Sequence, residues 1–217
     1  LQRITSVGQQ LLRPEKADHM IFGEVNPNSM VLQLRFLCKK SESDQPGNFL
    51  VTDNLSLPRN FSPEYGKLLI AVVVAAIVPK TETYRLMIHP LLINSLEAAQ
   101  EAGNEPPIEL PQVDQASIQI CYGHVVAKIG NFIGDSNKYQ TAAIAYQGAV
   151  ENISKETNPL EWANLQYHLG YILHEMGDRS RDKELLENAL QGYYEATNII
   201  TSAVSYTHLT LPTKLIV

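Results

Sequence analysis

Apolar and polar positions near the start of the chain follow the pattern of antiparallel strands. Residues 18–25 and 30–37 are rich in apolar side chains and are separated by the turn signal Asn-Pro-Asn-Ser at 26–29. The second segment alternates along its length, so we expect one of its faces to be buried. A third strand is predicted over 49–55, after a polar loop.

Two helices are predicted after these strands. Residues 68–78 form an unbroken run of 11 apolar side chains. A membrane span needs ~20 such residues, so we expect a core helix over 61–78 that packs on the sheet. A further helix is predicted over 84–103, with Pro90 near its first turns.

The second half of the chain repeats itself at a fixed offset. Gly123 and Gly170 are 47 positions apart (170 − 123), and other landmarks recur at the same distance. Such a period is the sequence signature of stacked structural units. The matched pairs are Gly123 and Gly170, Gly130 and Gly177, Asp135 and Asp182, Ala142 and Ala189, Tyr146 and Tyr193, and Ala149 and Ala196.

Each unit is predicted to contain two helices. They span 115–129 and 136–154 in the first unit, and 161–176 and 183–200 in the second. An aspartate precedes each second helix and is expected to be its N-cap, because its carboxylate can accept hydrogen bonds from the first-turn amides. Glycine inside a helix costs ~1 kcal/mol relative to alanine. The mid-helix glycines therefore indicate that a neighbouring helix passes close to the backbone.

These units are similar to a known repeat family. The order Leu-Gly, Ala, Tyr and Ala resembles the tetratricopeptide repeat, whose usual period is ~34 residues. The sequence Pro-Leu-Glu-Trp-Ala at 159–163 resembles the signature that precedes each unit of long-period bacterial tetratricopeptide arrays. The first unit departs from this pattern because it lacks the tryptophan. The resemblance implies a solenoid of helical hairpins in which the first helix of each unit lines a concave groove.

The expected fold class is α+β. A small antiparallel sheet with helices is predicted over 1–104, and its strand pair resembles the small α/β module that precedes such bacterial arrays. A Pro-rich linker is predicted over 105–114. An all-α, tetratricopeptide-like solenoid follows, with units over 115–160 and 161–202.

Both ends of the chain carry separate signals. Residues 1–13 have apolar positions at helical spacing, and a chain that opens inside a helix is expected to be a fragment. Residues 204–213 resemble the translation of a transposon-end sequencing adapter. We therefore expect 203–217 to be a non-native tail and exclude it from the fold.

The predicted partner surface is the concave face of the repeats. Tyr, His and Asn side chains beside one Lys and one Glu suit a peptide or helix. The two-Asn, multi-Lys/Arg clamp that would hold a terminal carboxylate is missing, so capture of a chain terminus is not expected. The alternative is that some of these side chains pack on the preceding unit. The partner-binding residues predicted by register are His124, Lys128, Asn164, Tyr167, Tyr171, His174 and Glu175, with Ser117 and Ile120 on the same face.

Composition excludes several classes of function. Hydrophobic residues make up 44% of the 217 and charged residues 18%, so a packed core is expected. The formal net charge of −6 argues against a protein that binds nucleic-acid phosphates. Cys38 and Cys121 cannot form a disulfide framework, and we expect buried thiols in a reducing compartment.

No motif for catalysis or for a cofactor is present in the sequence. It has no phosphate-binding glycine loop, no Gly-x-Ser-x-Gly elbow and no Cys-x-x-Cys pair. His168 and His174 are six positions apart on one helix, about 240° around it, so one metal ion cannot readily reach both. His124 can approach His174 across the hairpins, but solvated histidines on a groove are the simpler expectation. We expect no catalytic residue, metal ion or cofactor.

The expected function is that of a non-enzymatic, cytoplasmic scaffold that binds a protein or peptide on the concave face of the repeats. The absence of a catalytic constellation and the presence of a repeat favour this role. The alternative is a regulatory or sensory segment of a larger bacterial signalling protein or enzyme whose catalytic domain lies outside this sequence. The two roles are compatible with each other.

Overall fold

A small antiparallel sheet is followed by helices, as the α+β prediction requires. The computed structural model describes residues 10, 12, 19–26, 31–38, 45–50, 52–58, 62–77 and 81–203. The sheet has the strand order β1-β2-β3, with β1 at His19–Asn26, β2 at Val31–Cys38 and β3 at Asn54–Pro58. The helices are α1 (Pro63–Ala76), α2 (Glu82–Asn104), α3 (Gln112–Ile133), α4 (Ser136–Asn152), α5 (Pro159–Ser180) and α6 (Lys183–Ala203).

The predictions for the chain ends fall mostly outside this part of the chain. Of the helix predicted over 1–13, only Gln10 and Leu12 are described, and both are helical. Of the non-native tail expected over 203–217, only Ala203 is described, and it is helical, whereas 204–217 lie outside the described residues. Those predictions stay predictions.

The first two strands form the predicted hairpin, and a third strand is present but begins later than the predicted range of 49–55. In β1 and β2, Phe22 pairs with Arg35 and Gly23 with Leu34 in an antiparallel register. The third strand, β3, begins only at Asn54, because a turn occupies the preceding residues. The Leu50 amide donates to Asp53 Oδ2 at 2.6 Å, and the Asp53 amide donates back to Leu50 O at 3.0 Å.

The apolar run predicted as a core helix is α1, and it packs mainly on other helices. Its buried residues include Leu68, Ala71 and Val72. Its main neighbours are α2 and α3, and its contact with β2 is slight. Packing on the sheet is instead the role of α3, which lies along β3. Among the described helices, none is long and apolar enough to cross a membrane.

The two helical hairpins keep the 47-residue offset in their boundaries. The first helices begin at 112 and 159 and end at 133 and 180, and the second helices begin at 136 and 183. Asp135 Oδ1 accepts from the Asn137 amide at 2.9 Å, and Asp182 Oδ1 accepts from the Glu184 amide at 2.9 Å. Both predicted N-caps are confirmed, and both hairpin turns therefore have the same start signal.

The residue that ends the first helix of each hairpin has a left-handed backbone. Gly134 ends α3 with φ of 70°, and Arg181 ends α5 with φ of 56°. A left-handed helix end favours glycine, because a Cβ atom crowds the backbone there. The first hairpin has glycine at this position, and the second has arginine.

The sheet and the repeats share one hydrophobic core. A continuous cluster of buried side chains extends from Val31 in β2 to Ile172 in α5. Polar contacts reinforce the junction: the Ser56 amide donates to Ser117 Oγ at 3.0 Å, and Ser56 Oγ donates to Asp114 Oδ1 at 2.6 Å. Within the segment predicted as a linker, Leu110 is buried and its amide bonds to Pro107 O at 3.1 Å. The linker is packed against the core.

Candidate functional site

A segment of the same chain lies on the predicted concave face. Residues 45–50 run across α3, and their closest approach is at Gly47, whose φ is 75°. A Cβ atom at this position would overlap the carbonyl oxygen of His124 and lie 2.8 Å from the Lys128 amide nitrogen. Only glycine allows the two backbones to come this close.

Side chains on either side of Gly47 fix the segment to α3. Lys128 is fully buried, and its Nζ donates to Asn48 Oδ1 at 2.9 Å. The Phe49 ring meets the His124 ring edge-on, with centroids 4.4 Å apart. The segment, which we call the covering segment (residues 45–50), is therefore held by backbone fit, a polar contact and an aromatic contact together.

Directly after the covering segment, Asp53 brings two histidines together. Its Oδ2 lies 3.2 Å from His124 Nε2 and 3.1 Å from His168 Nε2. The carboxylate stands on the turn before β3, and the two imidazoles project from the middles of α3 and α5. All three side chains are buried. Three distant parts of the chain thus meet at one carboxylate.

A tyrosine and a cysteine line the same buried region. The hydroxyl of Tyr146, on α4, lies 2.7 Å from His124 Nδ1, and its ring stacks against His168 with centroids 5.8 Å apart. Cys121 is buried one turn before His124, and its thiol donates to Asn54 O at 3.4 Å. Each ring nitrogen of His124 therefore has a polar partner.

Burial and mutual contact set the protonation states of this cluster. Burial would raise the pKa of Asp53, but the adjacent His168 and His124 outweigh it and hold that pKa well below its usual range. Burial lowers the pKa of His124 to about 4, with a further contribution from His168. Burial also raises the pKa of the Cys121 thiol and of the Tyr146 hydroxyl. At neutral pH an ionised carboxylate thus faces a neutral His124 imidazole.

Several predicted partner-binding residues are not at the surface. His124 and Lys128 are fully buried beneath the covering segment, and Asn164 and His174 are also buried. The expectation of solvated histidines is wrong, since the chain's own loop fills this part of the groove. Ser117, placed on the same face, is likewise buried against β3.

Other predicted residues remain accessible. Tyr167, Tyr171 and Glu175 are partly exposed along α5, and Ile120 is partly exposed on α3. The rings of Tyr167 and Tyr171 lie 6.4 Å apart. These two tyrosines, with Leu50 and His168, line a small cleft where the covering segment ends against α5.

The key site residues missed by sequence reasoning are Asp53 and His168. His124 meets His168 at the Asp53 carboxylate. It does not meet His174, the histidine that the sequence suggested as its neighbour. His174 Nδ1 is buried and has no hydrogen-bond partner among the described residues. A carboxylate next to a turn and two histidines on predicted groove helices were visible in the sequence, but their separations of 71 and 115 positions gave no local signal.

Comparisons with known proteins add no assignment. No protein-family model, no curated protein and no solved structure matches this chain.

Proposed function

We propose that helices α3 to α6 form a protein-interaction scaffold that binds an extended peptide segment along the face of α3 and α5. The observation that supports the proposal is the covering segment, an irregular stretch of the same chain that lies on this face. It uses close backbone approach, one polar anchor and one aromatic anchor, as peptides in grooves do.

The partner segment would lie beyond the covering segment, on α5. There Tyr167 and Tyr171 line the cleft next to Leu50, and both rings are partly exposed. Tyrosine is a common anchor at interfaces because it combines apolar area with a polar end at low entropic cost. We propose an extended segment with apolar side chains as the ligand. We also propose a cytoplasmic location, because the two cysteines are far apart in the sequence and suit a reducing compartment.

Selection from a displayed peptide library tests this proposal on the whole chain. Selected peptides should bind the wild type and lose at least about 30-fold in affinity for the variant carrying Tyr167→Ala and Tyr171→Ala, since interface anchors contribute ~2 kcal/mol or more. The matched control is Tyr194→Ala, which removes a tyrosine of α6 that is 62% exposed.

Circular dichroism of all three proteins separates loss of binding from loss of fold. Peptides that bind the double variant as tightly as the wild type would refute the α5 site. If selection enriches no peptide at all, the scaffold proposal itself fails.

A further inference from the structure

The donor atoms of the buried cluster are spaced as ligands of one metal ion. Asp53 Oδ2 is 3.2 Å from His124 Nε2 and 3.1 Å from His168 Nε2, and the three residues offer ligand atoms within 4.8 Å of one another. A tetrahedral zinc ion with bonds of about 2.0–2.1 Å separates its ligand atoms by about 3.3 Å. We propose that Asp53, His124 and His168 bind a zinc ion.

The type of donor supports zinc over harder cations. Two imidazole nitrogens and one carboxylate oxygen form a three-ligand set that leaves a fourth position for water. Magnesium and calcium prefer oxygen ligands alone. The negative charge of Asp53 offsets part of the charge of the ion, and the side chains of all three ligands are buried.

The hydroxyl of Tyr146 can orient one of the three ligands. A metal-bound imidazole carries its proton on the other ring nitrogen and donates it to a nearby acceptor. Tyr146 OH lies 2.7 Å from His124 Nδ1, so it can accept that proton while Nε2 faces the ion. Without an ion, Asp53 is instead the acceptor for the two Nε2–H groups.

The cleft at the end of the covering segment gives the ion a path. His168 and Tyr146 both line it, together with Leu50 and Tyr171. The same opening leaves room for a water molecule as the fourth ligand. Zinc bound here would fasten the turn before β3 to both α3 and α5.

Zinc titration of the full chain, after dialysis against a chelator, measures the site directly. By isothermal calorimetry we expect one ion per chain with a Kd at or below about 1 µM. His168→Gln should weaken binding at least about 100-fold, and Tyr146→Phe about 10-fold, as loss of a ligand-orienting partner does. His89→Gln removes a partly buried imidazole of α2 outside the cluster and should leave the Kd unchanged.

A cobalt-loaded wild type gives a readout that does not depend on the folding of any variant. Its proton spectrum should contain hyperfine-shifted signals from two imidazole rings. Signals from fewer than two rings, no zinc binding to the wild type at about 100 µM, or undiminished binding by a folded His168→Gln chain would each overturn the proposal. These measurements use no peptide, so they stand or fall separately from the scaffold proposal.

Discussion

Gly123 lies directly against the ring of Tyr146, and a Cβ atom on the glycine would overlap the ring carbon Cε1. The equivalent pair one repeat later is looser: a Cβ atom on Gly170 would lie 3.4 Å from the Tyr193 ring and 3.0 Å from Ala189 O. The contact between this glycine and this tyrosine is thus tighter in the first hairpin than in the second. Tyr146 is also held through its hydroxyl by His124, which limits how far its ring can move.

We expect Gly123→Ala to lower the free energy of unfolding by about 1–2 kcal/mol. A Cβ atom that overlaps the Tyr146 ring puts the cost of overpacking in the upper part of its usual range of about 1–3 kcal/mol, and the better helix propensity of alanine returns about 1 kcal/mol. Urea denaturation followed by circular dichroism measures the change. Gly170→Ala is the matched control and should cost less. Equal stability of Gly123→Ala and the wild type would contradict the close packing.

Arg181→Gly should raise the free energy of unfolding by about 1 kcal/mol. Arg181 is exposed and has a left-handed backbone at the end of α5, a conformation that costs a residue with a Cβ atom about 1 kcal/mol. The converse substitution is Gly134→Ala at the end of α3, which should lower the free energy of unfolding by a similar amount. Thermal melting of both variants checks the pair. A lower melting temperature for Arg181→Gly would rule out backbone strain there.

Gly47→Ala should detach the covering segment from α3. The new methyl group would meet backbone atoms of His124 and Lys128, which have no room to move within a helix. We expect faster amide hydrogen exchange over 45–50 and over the middle of α3, measured by mass spectrometry. Gly66→Ala is the control, since nothing lies within 4 Å of a Cβ atom there. Unchanged exchange in Gly47→Ala would show that the segment tolerates the added methyl group in place.

Asp114→Ala should destabilise the junction between the sheet and the repeats by about 2 kcal/mol. Its carboxylate is buried and accepts from Ser56 Oγ at 2.6 Å and from Gln33 Nε2 at 3.2 Å. Loss of the acceptor leaves buried donors with fewer partners. Chemical denaturation measures the effect, with the exposed Asp178→Ala as control. If both variants unfold at the same denaturant concentration, these contacts add nothing to the junction.

The helical hairpins could be predicted because their signals are local. The N-caps at Asp135 and Asp182 and the repeated small residues lie within the elements that they define. The third strand begins later than its apolar residues predict, because the hydrogen bonds between Leu50 and Asp53 turn the chain before pairing begins. Apolar composition over 49–55 carries no sign of that turn.

The site could not be predicted because its geometry is tertiary. Register alone puts His124 on the groove, but it does not show that a loop from the first half of the chain covers this face. The 47-residue offset also aligns His168 with Cys121 and not with His124 (168 − 121). The side chains of His124 on α3 and His168 on α5 reach Asp53 from non-equivalent repeat positions, and no repeat alignment contains that information.

The meeting of Asp53 with His168 has a consequence for the order in which the protein is made. The carboxylate leaves the ribosome 115 residues before its second histidine. At about 5–20 residues per second, translation of that stretch takes about 6–23 s. Throughout that interval α5 has not been made, so the turn before β3 has no α5 to pack against. The Asp53 carboxylate, which is buried in the folded protein, stays in water. Contacts of such long sequence separation slow folding, and the last step in closing this core must follow the synthesis of α5.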